Sequence, residues 1–150
     1  MVFIGIDPGK SGALMAINEK RAIVCARPYG RKEYINALTH MNKHFDCHCV
    51  VEHVGAMPKQ GCVSMFNFGE NFGFIQGILE TIGMPYELVR PQKWKRTFSC
   101  TSDKNTSIEV ARRLFPEAKL LRTERCKKPD DGMAEALLMA EYARRIQNGI

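Results

Sequence analysis

No apolar run in this chain reaches the roughly 18 residues that span a bilayer, because Lys, Asp, Asn or Glu interrupts each one. The start lacks a basic stretch followed by a long apolar core and a cleavage site, the pattern of a secretory leader. Both absences point to an intracellular, cytoplasmic protein with no membrane partner. None of the six cysteines stands in a C-x-x-C pair. Cys47 and Cys49 flank His48 in a strand-like run, but no second ligand pair follows at zinc spacing. They are read as reduced thiols on the apolar face of a strand. Tryptophan occurs once, at Trp94. There is no internal repeat and no low-complexity tract.

A chain of 150 residues, 45% hydrophobic and 25% charged, fits one ordinary globular domain over residues 1–150. Its net charge of +6 is unevenly spread. Between Arg90 and Lys128 stand 12 Lys or Arg against 4 Asp or Glu, a local net of +8. A one-sided basic segment is the electrostatic footprint of a polyanion binder, most often of nucleic acid. A solvated basic face is the plainer alternative.

Hydrophobic spacing divides the chain into strands and then helices. Residues 2–7, 12–18 and 22–27 read as a three-stranded antiparallel meander. Arg31 to Lys43 carries Tyr34, Leu38 and Met41 at helical spacing. Residues 48–54 read as a fourth strand and 86–89 as a short fifth. A long helix from Val63 to Ile82 ends at Gly83, with Pro85 beyond. Residues 90–105 read as a basic connection. Further helices run from Asp103 to Phe115 and from Asp130 to Gln147. This order implies an α/β fold with a mixed five-stranded sheet flanked by helices.

Within that frame several acids stand where a core would exclude them. Asp7 ends the first strand in the stretch FIGIDPGKSGALMAI. Glu52 sits near the end of the fourth. Asp130, Asp131 and Glu135 open the last helix. Taken singly, each has a plain explanation: Asp-Pro-Gly is a turn signature, and acids at a helix start suit its dipole. Together, adjacent strands and the helix would bring three or four carboxylates to one place. Such a cluster repels itself and repels phosphate. Hard divalent cations relieve both, and two of them can stabilise the attacking and leaving oxygens of an in-line phosphoryl displacement. Asp131 and Glu135 are one turn apart on one face, whereas Asp130 diverges from Glu135 by about 140°.

The segments GIDPGKSGALMAI, VVEHVGAMPKQGCVSMFNFGENFGFIQGIL, GMPYELVRPQKWKR, DKNTSIEVARRLFPE and DDGMAEALLMAEYARR resemble the RuvC-like Holliday-junction resolvases of the RNase H-like superfamily, most closely the short forms of bacteriophages and prophages. The resemblance covers most of the chain in family order. It implies a homodimer that cuts two strands of four-way DNA with Mg²⁺ or Mn²⁺, two ions per site, in the cytoplasm of a bacterium or phage-infected cell. By motif it makes Asp7, Glu52 and Glu135 catalytic metal ligands and leaves Asp130 and Asp131 competing for the position before Glu135; the face shared with Glu135 favours Asp131. Glu135 stands where the family usually has Asp. The DNA contacts assigned alongside are Lys10, Lys59, Gln60, Lys93, Lys95 and Arg96, with Trp94 as a base-stacking aromatic or a sheet anchor. Gly69, Gly73 and Gly77 recur every four residues, and Phe68, Phe72, Ile75 and Leu79 form an apolar stripe beside them. That helix is read as packed on the sheet or set against the active site or a dimer partner.

Three rival readings remain at this level. An actin-like or sugar-kinase ATPase begins with a similar strand and hairpin but needs two such halves. Another nuclease of the superfamily would act on RNA–DNA hybrid, branched DNA or RNA. A non-catalytic nucleic-acid-binding module follows if Glu135 disables the site.

Overall fold

All five residues of β1 (Val2–Ile6) are buried. A strand with both faces buried belongs in the middle of a covered sheet, and β1 is the middle strand of five, in the order β3-β2-β1-β4-β5. β2 (Ala13–Asn18) and β3 (Ile23–Pro28) complete an antiparallel meander with it. β4 (Cys47–Glu52) and β5 (Tyr86–Val89) add on the other side in parallel. Parallel neighbours need crossovers, and two helices supply them: α1 (Arg31–His44) before β4 and α2 (Cys62–Thr81) before β5. Then come α3 (Pro91–Thr97), α4 (Lys104–Leu114) and α5 (Asp131–Gln147). This computed structural model describes residues 1–53, 55 and 61–150. Among them no helix is long and apolar enough to cross a membrane.

Strand alternation divides the interior into two cores. Phe3, Met15, Ile17 and Val50 face α5, with Trp94 of α3 and Ala111 of α4 in the same cluster. Ile4, Ile6, Leu14 and Val51 face Tyr34 and Leu38 of α1 and Ile75 and Leu79 of α2. Cys47 and Cys49 belong to the second core, and all six cysteines are free.

One glycine sets how closely α5 lies on the sheet. A Cβ at Gly5 would stand 2.1 Å from the Ala136 carbonyl oxygen and 2.4 Å from the Ala140 nitrogen. Only a residue without a side chain lets the helix backbone rest directly on β1. α5 is accordingly buried on nearly all sides from Gly132 to Ala143. Its one deeply buried mid-helix acid, Glu141, is matched by Arg144 at 2.8 Å, Arg145 at 3.0 Å and Arg21 at 3.6 Å. Such pairing is what permits a charge in the interior.

Two sequence expectations change here. The basic connection after Arg90 contains a helix, α3, with Pro91 at its start. Pro at the first helical position costs no hydrogen bond, and the four-residue spacing of Trp94 and Phe98, both buried, brings them to one side. The glycine stripe of α2 does not pack on the sheet. Asn71, Ile75 and Leu79 take that side, and a Cβ at Gly69, Gly73 or Gly77 would meet no atom within 4 Å. The stripe lies on the outward side, with Phe66 and Val63 exposed beside it. Phe72 packs against the second core, and Phe68 stacks on it with centroids 6.5 Å apart.

Candidate active site

Ile6 of β1 pairs with Val51 of β4 in parallel register, so Asp7 and Glu52 follow at adjacent positions on one edge of the sheet. α5 begins at the same edge. A Cβ at Gly132 would stand 2.3 Å from the Ser11 carbonyl oxygen, so the first turn of α5 rests on the hairpin that follows Asp7. The carboxylates of Asp7, Glu52, Asp131 and Glu135 thereby converge. Burial pushes the Asp7 carboxyl up to about 8, and the charges of Glu52, Glu135 and Asp131 push it the same way, against Lys104. Burial also raises Glu52, opposed by its hydrogen bond from Trp94.

Three of the helix acids carry a basic partner from the segment that precedes them. Lys95 Nζ lies 2.8 Å from Glu135 Oε1. Lys104, the first residue of α4, donates to Asp131, and that bond raises the lysine's own affinity for its proton. Arg122 Nη1 is 3.2 Å from Asp130 Oδ1, and the same guanidinium reaches the carbonyls of Lys10 and Gly12 at 3.2 Å each. Ser107 Oγ donates to Glu135 at 3.2 Å. Trp94 Nε1 donates to Glu52 Oε1 at 2.9 Å. Asp7 is the remaining acid, and no hydrogen bond is among the causes that set its proton affinity.

These pairings give the site its present shape. Among the described residues no three acidic, histidine or cysteine groups form a ready cage for a metal ion. Glu52, Asp131 and Glu135 each have one carboxylate oxygen on a donor. The donor chemistry nonetheless fits a hard divalent cation: four carboxylates, all oxygen, with Asp7 lacking a side-chain hydrogen bond among the described residues and driven towards protonation by burial and by the other three.

Asp130 stands apart from this group. It is the N-cap of α5, where its Oδ1 accepts from the Met133 nitrogen at 2.9 Å, a role that Asp fills well. Of the two readings of Trp94, base-stacking aromatic or anchor, its burial fits the anchor. It is fully buried and offers no face to a base, because its ring fills the core beneath α5 and its N–H is spent on Glu52. Lys95 points inward to Glu135 and also lies 5.2 Å from the centre of the Trp94 ring. Lys10, Lys93 and Arg96 are exposed. Lys59 and Gln60 lie outside the described residues. Ser107, Lys104 and Arg122 were not singled out from the sequence. The basic segment contains Lys104 and Arg122, but no spacing rule aims them at particular acids.

A mixed five-stranded sheet in this order, flanked by helices, is an RNase H-like α/β fold. Within that class the fold is RuvC-like. The structure of Thermus thermophilus RuvC in complex with a Holliday junction substrate matches with a TM-score of 0.64 at 15% identity, covering 99% of this chain and 96% of that one. A second Thermus thermophilus RuvC structure gives 0.56 at 17% identity, with 99% and 97% covered. The yeast mitochondrial Holliday junction resolvase Ydc2 gives 0.60 at 14% identity, with 97% and 78% covered. At these identities the likeness is one of fold. No protein-family model matches the chain, and no curated protein does.

Proposed function

We propose that the protein is a divalent-metal-dependent endonuclease that resolves four-way DNA junctions by phosphodiester hydrolysis. The observation that carries this reading is the convergence of Asp7, Glu52, Asp131 and Glu135 at one sheet edge of a RuvC-like fold. These four carboxylates would hold Mg²⁺ or Mn²⁺, two ions per site. The ions would activate the attacking water and stabilise the leaving oxygen. The chain's own residues prepare that site. Asp7 is the acid open to a cation. Trp94 and Ser107 hold Glu52 and Glu135 in place. Lys95 and Lys104 keep the acids together by offsetting their repulsion, and each is a cation available to a phosphate once its acid binds metal.

Affinity for DNA would come from the exposed basic residues Lys10, Lys93 and Arg96, with Lys59 and Gln60, which lie outside the described residues, as further contacts. Phosphate contacts of this kind give strength without sequence preference. A four-way junction presents two equivalent strands, and a two-fold protein dimer matches them. The outward face of α2 suits that role. Val63 and Phe66 are about three-quarters exposed, and the glycine stripe would let a second helix come close.

The test is cleavage of a mobile four-way junction with Mg²⁺, beside linear duplex, fork and RNA–DNA hybrid. Paired incision of the junction alone supports the reading. Preferential cutting of the hybrid would assign the site to another nuclease activity, and binding without turnover would leave a non-catalytic module.

A further inference from the structure

Trp94 is the chain's single tryptophan, and its hydrogen bond joins α3 to β4 across 42 residues of sequence. A buried indole N–H needs an acceptor, and a backbone carbonyl would serve a purely structural purpose. Here the acceptor is Oε1 of Glu52, itself only 7% exposed. The indole is fully enclosed by the first core, with Val89, Phe98 and Leu137 in the same cluster, so its N–H is aimed by packing. One consequence is orientation: the carboxylate is held at one oxygen. The other consequence is division of labour, since Oε2 is left as the freer ligand atom.

We infer that Trp94 is a positioning residue for the candidate metal site, fixing Glu52 through the indole N–H so that the carboxylate offers a defined oxygen to a divalent cation. This rests on the metal-dependent reading above. Hydrogen bonds from groups behind a metal ligand typically change metal affinity about 10–100-fold when removed, because the freed ligand must be ordered when the ion binds. The next residue along α3, Lys95, serves Glu135, so one short helix addresses two of the four acids.

The experiment measures Mn²⁺ binding to the full chain by calorimetry without DNA, for wild type and Trp94→Phe. Phe keeps an aromatic ring in the core and deletes only the donor side of the indole. The expected result is affinity weakened about 10–100-fold, with the sedimentation behaviour and the far-ultraviolet circular dichroism unchanged. Equal affinity in the two proteins overturns this inference alone. No binding by the wild type overturns the metal-site reading, and this inference with it. A second measurement uses the wild type and is independent of the variant's stability. Trp94 emission, from one defined position, should change saturably with Mg²⁺, with the midpoint found when the calorimetry is repeated with Mg²⁺. Emission that stays flat while calorimetry records binding also overturns the inference.

Discussion

Lys95 Nζ and Glu135 Oε1 lie 2.8 Å apart, and neither side chain is more than one-fifth exposed. The pair joins the shortest helix, α3, to the longest buried one, α5. It also bears on the proposed metal site, because the Lys95 ammonium and a cation would share the charge of one Glu135 carboxylate. Lys95→Met should therefore separate two effects. In chelator the variant should lose stability, by about 3 kcal/mol at the scale of a broken buried pair, since Glu135 keeps only Ser107. With Mg²⁺ present, part of that loss should return, and the rise in melting temperature on adding Mg²⁺ should exceed that of the wild type. Equal rises in both proteins would show that Lys95 and the cation do not compete for Glu135.

Asp7 predicts a pH dependence with a definite sign. Its carboxyl is raised from 3.8 to about 8 in the metal-free fold, so between those values the native state holds a proton that the unfolded chain releases. Stability should fall as pH rises across that window and level off above it. Asp7→Asn removes the titration while keeping the shape. In chelator the variant should be more stable than wild type at pH 8 and nearly equal at pH 4. It should also bind junction DNA and fail to cut it, because the basic residues that would bind phosphate are elsewhere. Thermal melts from pH 4 to pH 9 check the first claim, and gel-shift and cleavage assays check the second.

Much of the fold was legible because its signals are local. Each strand is a short apolar run, and β1 and β4 show their double burial by having almost no polar residue before Asp7 and Glu52. The capping and breaking residues of α2, α4 and α5 bound those helices to within a residue or two. The acids were legible because a carboxylate ending a core strand breaks the pattern around it. What was hidden depended on pairing across the chain. Lys95, Lys104 and Arg122 look alike in a basic segment, and only the packing of α3 and α4 on α5 aims each at its own acid. Trp94 between Lys93 and Lys95 resembles an exposed aromatic in a DNA-binding stretch. It is buried because α3 is helical there, which places Trp94 and Phe98 on the inner side while Lys93 and Arg96 face out. The direction of the α2 glycines was hidden for a similar reason, since a helix with apolar residues on every side does not announce which side the sheet takes.

Asp130 and Asp131 are neighbours with different duties, and substitutions should separate them. Asp130→Asn keeps an N-cap of about equal quality and weakens only the contact with Arg122. Its cleavage rate should stay within a few-fold of wild type. Asp131→Asn removes a carboxylate that faces Asp7 and is held by Lys104, and should cost several kcal/mol of transition-state stabilisation as a lost metal ligand. Single-turnover cleavage of a junction at saturating Mg²⁺ compares them directly. A dead Asp130→Asn beside a near-normal Asp131→Asn would move the ligand assignment back by one residue.

The glycine stripe of α2 is open on its outer side among the described residues. Gly73 sits in the middle of α2, and a Cβ there would meet no atom within 4 Å. A glycine inside a helix costs about 1 kcal/mol relative to Ala, so an isolated chain would be more stable without it. If α2 faces a second copy, the cost is offset by the close approach of the partner's backbone. Gly73→Gln then has opposite effects on two quantities. The fold of the single chain should gain stability by several tenths of a kcal/mol from helix propensity. The dimer should weaken, because a long side chain now stands where another helix must lie. Sedimentation at micromolar concentration should show the wild type as a dimer and Gly73→Gln shifted to monomer. The variant's junction incisions should become unpaired, one strand at a time. A variant that remains a dimer with coupled incisions would place the dimer contact elsewhere on the surface and leave the glycine stripe without a partner.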